Sequence, residues 1–184
     1  MIDRLPEVLA PVLGEPVVVE KLTALTGGAS RSTWAFQANG RRLILRTGPP
    51  DDVHVPMAIE AKTQQLAAAQ GAPVPHVLVA DETFLICDFI DGETIAPRIL
   101  RKLDDTARPR LLEQCAQALA AIHRVDPAQA DLRPRDQMAL WRAQLDEMGD
   151  TTATIEWTLR WLDANPPAPS PTVMVHGDYR MGNL

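Results

Sequence analysis

The chain has 184 residues, of which 46% are hydrophobic and 23% charged, and it carries a net charge of −6 at pH 7. Such a length and balance describe one globular domain or two small lobes and exclude a fibrous or low-complexity chain. Acids and bases are interleaved, so there is no general electrostatic basis for binding nucleic acid or an anionic membrane, and any phosphate site must be a local positive feature.

Residues 2–13 read as a short leading helix with Leu5, Val8, Leu9 and Val12 on one face. Pro6 suits its first turn, and Pro11 should end it early. Val17 to Leu22 is β-branched and strand-like, Thr26 to Ser30 is a turn, and Ser32 to Gln37 alternates again. Asn39-Gly40 is a hairpin signal, followed by a third strand over Arg42 to Arg46. A helix over 56–70, with Ile59, Leu66 and Ala67 apolar, is stopped by Gly71. Val74 to Ala80 and Thr83 to Phe89 are two further strands around Asp81-Glu82. Past Asp91-Gly92 the pattern is helical. The helices are expected over 106–124, 137–148 and 152–164, with Leu111, Leu112, Cys115, Leu119 and Ile122 on the first and the packing residues Trp157, Leu159, Trp161 and Leu162 on the last. The stretch 126–136 is a loop, Asn165 to Pro171 is an extended connector, and Val173 to Val175 reads as a short buried strand.

Cys87 and Cys115 lie in apolar stretches without CxxC spacing, as reduced core thiols of a cytoplasmic protein would. The opening Met-Ile-Asp-Arg-Leu-Pro lacks a basic region followed by an apolar one, so no signal peptide is expected. No apolar run reaches the roughly 18 residues of a membrane span.

The chemistry-bearing segment is His176-Gly177-Asp178-Tyr179-Arg180-Met181-Gly182-Asn183-Leu184. An Asp with an Asn five residues later, and His two residues before, is the catalytic-loop spacing of kinase-type phosphotransferases. Asp178 is the candidate base for an attacking hydroxyl. Asn183 is the candidate Mg²⁺ ligand, because that ion takes hard oxygen donors. Gly182 suits the tight turn between them, and His176 braces the loop by hydrogen bonds. Upstream, Gly27, Gly28, Ser30, Ser32 and Thr33 offer close backbone approach, amides and hydroxyls to phosphate, or else form a plain hairpin turn. Arg46 ends the third strand where a protein kinase keeps its phosphate-pairing Lys, and Glu60 on the next helix is its candidate partner. The alternative is an exposed Arg and a helix-surface Glu. Asp88, Phe89 and Ile90 occupy the place of a hinge presenting backbone groups to adenine, or of an ordinary strand-to-helix turn. His123 reads as structural.

With these pieces in hand, the chain resembles the aminoglycoside phosphotransferase and choline kinase-like superfamily, within it the branch of phosphotransferase domains attached to some acyl-CoA dehydrogenases. The resemblance rests on GGASRSTW, LILRTGPP, IEAKTQQLAA, GAPVPHVLVAD, LICDFIDGETI, LAAIHRVD and VHGDYRMGNL, which follow one another in family order. It implies an α+β, protein kinase-like two-lobe fold. Residues 1–90 would be a nucleotide-binding lobe with a five-stranded antiparallel sheet and one main helix, and 91–184 a partial, mostly helical lobe ending in the catalytic loop. It implies ATP, Mg²⁺ and phosphorylation of a small-molecule hydroxyl, with no nucleic-acid or membrane partner. Aminoglycosides, choline-like alcohols, sugars and hydroxyacyl thioesters remain open as acceptors. The family pattern continues past the catalytic loop to a metal-binding Asp and several helices. Residues 1–184 alone are therefore expected to turn over poorly and to expose apolar surface in their C-terminal part, which a homodimer would hide. The alternative is a non-catalytic nucleotide-binding remnant or interaction domain.

Overall fold

Alternating apolar residues build a sheet that can be covered on two faces, and a computed structural model shows how; it describes residues 1–25, 31–48, 55–132, 134 and 136–183. Strands β1 (Val19–Leu25), β2 (Ser32–Ala38), β3 (Arg41–Thr47), β4 (Val77–Ala80) and β5 (Phe84–Asp88) form one antiparallel sheet in the order β1-β2-β3-β5-β4. The β2–β3 hairpin turns on Asn39 and Gly40, with φ of 49° and 81°. Two successive left-handed residues match the twist of the flanking strands, and Asn and Gly tolerate that conformation best. The Asn39 side chain adds local anchoring, since its Oδ1 accepts the Val18 N–H at 2.8 Å. Asp81 performs the same office between β4 and β5, accepting the N–H groups of Thr83 at 2.7 Å and Phe84 at 3.0 Å.

The two-residue period divides the sheet into two faces. Phe36, Ala38, Leu43, Leu45, Phe84 and Ile86 pack against Leu5 and Leu9 of helix α1 (Leu5–Leu13). On the opposite face Leu85, Cys87 and Val77 meet Met57 and Ala61 of helix α2 (Met57–Ala69). Full burial of each α1 leucine stabilises the fold by about 1.5–3 kcal/mol. A short 3-10 turn, Ile2–Arg4, precedes α1. The helix runs through Pro11 instead of stopping at it. Pro11 sits in the last turn on the exposed side, and the carbonyl it leaves unpaired belongs to Glu7, also exposed, so water can satisfy it. Gly14, at φ 74°, ends the helix. β1 is less regular than its sequence suggests: its register shifts between Glu20 and Thr23, where Lys21 has φ 54°.

The remaining helices are α3 (Ala96–Lys102), α4 (Ala107–His123), α5 (Gln137–Met148) and α6 (Ala153–Ala164), with a 3-10 turn at Pro127–Ala130 inside the expected loop. Side-chain caps set the boundaries of α5 and α6. Asp136 accepts the Ala139 N–H at 3.0 Å, Gly149 closes α5 at φ 64°, and Thr152 accepts the Ile155 N–H at 3.2 Å. Two expectations fail here. Val173 to Val175 is not a strand, because among the described residues no neighbouring strand pairs with it, and only Met174 of the three is buried. Trp157 and Trp161 are 67% and 51% exposed, and Leu159 alone is buried on α6.

A second core joins α2 to the end of α4 and to the chain around residues 174–179. Ala67 and Ala72 pack with Ala121 and Ile122 at the end of α4, with Val125 and with Met174; Leu66 and Tyr179 lie at its margin. Lys62 donates to Asp131 at 2.8 Å and Arg124 to the Gln70 carbonyl at 2.8 Å across the same joint. The Lys62 ammonium holds the Asp131 carboxyl below the ordinary carboxylate range. Among the described residues no helix is long and apolar enough to cross a membrane.

Candidate active site

Arg46 and Ile44 share one sheet face by strand period, the face that α2 covers. That placement turns the Arg46 side chain toward the first turns of α2, where Glu60 stands, and Arg46 Nη1 donates to Glu60 Oε1. The pair expected from the sequence is formed. The other oxygen, Glu60 Oε2, accepts from Nη2 of Arg31 at 3.1 Å. One carboxylate thus joins two guanidiniums. Thr33 is the direct cross-strand partner of Arg46, with Ser32 beside it opposite Thr47. Gly27, Gly28 and Ser30 lie outside the described residues. Cys87 faces the same cluster, and burial pushes its thiol up to about 11, against the opposing pull of Arg46.

Asp88, Phe89 and Ile90 sit at the far end of β5. Arg46 is paired with Leu85, so Asp88 lies three residues, about 10 Å, along the strand. The Asp88 carboxylate is on the α1 face, since its cross-strand partner is Leu43, and Arg41 donates to it at 2.7 and 3.0 Å. Arg42 stacks over the Phe89 ring at 3.8 Å and donates to both Asp91 oxygens at 2.7 and 2.8 Å. Ile90 is 64% exposed. The segment is pinned to β3 by its side chains and by the Phe89 N–H, which donates to the Arg42 carbonyl at 3.1 Å.

The 176–183 loop is a third group. Asn183 Nδ2 donates to Asp178 Oδ2 at 2.6 Å and to the Asp178 carbonyl at 3.1 Å, so the five-residue spacing folds the Asn back onto the Asp. Arg180 Nε donates to both Asp178 oxygens, at 3.0 and 3.1 Å. The Asp178 N–H donates to Nδ1 of His176 at 3.4 Å. The turn that makes this possible is at Gly177, with φ 86°, where any other residue would be strained. Gly182, expected to serve that purpose, instead makes room: a Cβ there would stand 2.8 Å from Arg180 Nη1. The loop is seated by its neighbours. Tyr179 O–H donates to the Cys115 carbonyl of α4 at 2.5 Å, the His176 ring meets Tyr179 edge-on at 5.5 Å, and Met174 is buried in the joint core.

Helix α2 relates two of these groups. Glu60 lies in its first turns, and Ala67, seven residues or about 10 Å further along, packs in the core that holds Met174. Two residues escape a reading of the sequence, Arg31 and Arg180. Each is a basic residue inside a segment already singled out, GGASRSTW and HGDYRMGN, and that position is the signal that would have found them. An open cavity of about 420 Å³ lined by Trp34, Leu45, Thr47 and Thr83 opens on the α1 side of the sheet, away from Arg46 and Glu60.

The chain is similar to several known proteins. A model of the phosphotransferase enzyme family matches residues 21–184. Acyl-CoA dehydrogenase family member 10 of Mus musculus is 27% identical over 179 residues, covering 85% of this chain and 16% of that protein. A protein of Ralstonia eutropha JMP134 assigned to the aminoglycoside phosphotransferases superposes with a TM-score of 0.70 at 20% identity, over 100% of this chain and 60% of that one. APH(2")-IIa, solved as a ternary complex with streptomycin and ATP, gives a TM-score of 0.54 at 16% identity, over 90% of this chain and 58% of its own. This chain thus spans less than two thirds of the length of each. The α+β, protein kinase-like fold expected from the sequence is the fold of these structures. With its match running from residue 21 to residue 184, the chain belongs to the phosphotransferase enzyme family.

Proposed function

We propose that the protein transfers the γ-phosphoryl group of ATP to a hydroxyl of a small molecule, with Asp178 as the base. One observation carries this: Asp178 and Asn183 are locked together by two hydrogen bonds, which presents a carboxylate and an amide oxygen side by side. Membership of a phosphotransferase family and a shared fold with an ATP-bound relative support it.

Residues 1–90 then serve the nucleotide and 91–184 the acceptor and the chemistry. Arg46, oriented by Glu60, meets phosphate oxygens through its planar fork. Thr33 and Ser32, with Gly27, Gly28 and Ser30, contribute hydroxyls and amides. The Asp88–Ile90 segment contributes main-chain groups to adenine; the N–H groups of Asp88 and Phe89 are given to the His76 and Arg42 carbonyls, so the donor falls to the Ile90 N–H. Both amide hydrogen bonds of Asn183 use Nδ2, so its Oδ1 is left as a hard-oxygen donor suited to Mg²⁺, an ion that keeps waters and phosphate oxygens as its other ligands. When bound there, the ion supplies charge neutralisation at the phosphate oxygens. Asp178 Oδ2 accepts two of the loop's hydrogen bonds and Oδ1 only one, which leaves Oδ1 the better placed to take the proton of the attacking hydroxyl. His176 holds the Asp178 backbone and takes no proton. Asn183 is the one protein metal ligand assigned, so turnover by residues 1–184 alone is slow. Two free thiols suit the reducing cytoplasm, and the exposed face of α4–α6 is the surface by which two copies would associate.

The test is an ADP-release assay with Mg·ATP and a panel of aminoglycosides, choline-like alcohols, sugars and hydroxyacyl thioesters. Asp178→Asn is expected to lower the rate about 10²–10⁴-fold while leaving the Kd for ATP within a few-fold. A variant as fast as the wild type overturns Asp178 as base. ATP binding with no transfer to any acceptor favours the non-catalytic alternative.

A further inference from the structure

The Arg46–Glu60 pair leaves unexplained why a third residue shares it. Arg31 follows directly on Gly27–Ser30 in the sequence, and its side chain is only 13% exposed. It is held from several sides. Nη2 donates to Glu60 Oε2 at 3.1 Å and to the Val55 carbonyl at 3.2 Å, and Nη1 points at the Met57 sulfur. Gly48, at the end of β3, supplies the space: a Cβ there would stand 2.9 Å from Arg31 Nη1. Burial of a guanidinium costs desolvation unless its partners are well placed, and here they come from α2 and from the residues before it.

We infer that Arg31 is a positioning residue for the nucleotide phosphates, a role that rests on the function proposed above. A carboxylate facing a single guanidinium can turn to engage both N–H groups of its fork. With Arg31 on Oε2, Glu60 offers only Oε1 to Arg46, so Arg46 is oriented by its partner without being fully claimed by it. Two guanidiniums on one carboxylate also leave the cluster with a net positive charge, which suits an incoming triphosphate. The same contacts tie the start of β2, where Ser32 and Thr33 stand, to α2 and to Val55 before it. The start of β2, Arg46 and α2 are thereby registered to one another through one side chain.

The test is a titration of the 184-residue chain with Mg·ATP, using wild type, Arg31→Met, Arg31→Lys and Gly48→Ala. Arg31→Met removes the charge and fork at similar volume and is expected to weaken ATP binding about tenfold or more, with the melting temperature recorded beside it. Arg31→Lys, which keeps charge without a planar fork, recovers part of the loss. Gly48→Ala displaces the guanidinium without altering it and weakens binding in the same direction. The double variant Arg31→Met/Gly48→Ala is no weaker than Arg31→Met alone, because both act through one group. If Arg31→Met and Gly48→Ala bind ATP as the wild type does, Arg31 is a structural strut and the inference fails while the proposed function stands. A wild-type chain that binds no ATP removes the proposed function and this inference with it.

Discussion

Individual residues differ in how far their partners can be foreseen. Asp178 and Asn183 were legible because their meeting is local: a turn of five residues brings them together whatever else the chain does. Arg46 and Glu60 were legible because strand and helix periods predict which way each points. Arg31 and Arg180 were not, because an arginine in a loop carries no periodicity, and only the folded surroundings select its partner. The two cysteines make the same contrast measurable. Cys87 is buried beside the Arg46–Glu60 pair with its thiol raised to about 11, whereas Cys115 is half-buried on α4. The reactive species is the thiolate, and a raised pKa means that it is scarce at neutral pH and appears only as pH approaches that value. Iodoacetamide at pH 7.5, read by peptide mass spectrometry, is therefore expected to label Cys115 first. Rapid labelling of Cys87 at that pH would contradict its burial.

Among the elements, boundaries were legible where a cap or turn residue marks them. Asn39-Gly40, Asp136, Gly149 and Thr152 each stand at an element end and each makes the geometry its chemistry favours. Pro11 misled because proline's cost depends on where its missing hydrogen bond falls, and in an exposed last turn that cost is small. Val173 to Val175 misled because β-branched composition gives strand propensity but not a partner strand. What seats the 176–183 loop is instead a contact between elements, the Tyr179 hydroxyl on the Cys115 carbonyl. Burial first, and then the neighbouring Cys115, hold the Tyr179 phenol above its ordinary value, so it stays a donor throughout the neutral range. Tyr179→Phe removes the bond and leaves the ring. It is expected to cost about 1 kcal/mol, or a melting temperature lower by about 2–4 °C, in a thermal scan. An unchanged melting temperature would show that Met174 and the joint core seat the loop without it.

Across the whole molecule the apolar residues are unevenly covered. The sheet has α1 on one face and α2 on the other, and its core leucines are fully buried. The later helices present Leu112 at 72%, Trp157 at 67% and Trp161 at 51% exposure. An apolar surface of that kind binds hydrophobic dyes and other copies of the chain. The native 184-residue chain is expected to enhance ANS fluorescence and to show a sedimentation-average mass that rises with concentration. Trp157→Ser with Trp161→Ser should reduce both. A monomer at all concentrations with no dye enhancement would mean that these side chains are covered in solution.

The sequence by itself determined the five strands, every helix of the chain longer than α3, the antiparallel order of the sheet's first three strands and the pairing of Asp178 with Asn183, because each depends on neighbours a few residues away or on a repeating period. The tertiary structure alone decided that one carboxylate serves two arginines and that α2 reaches from the arginine cluster to the core under the 176–183 loop. These are contacts between residues 14 to about 110 positions apart. Nothing in local propensity encodes them; burial, charge pairing and the close packing of side chains select them once the elements have come together.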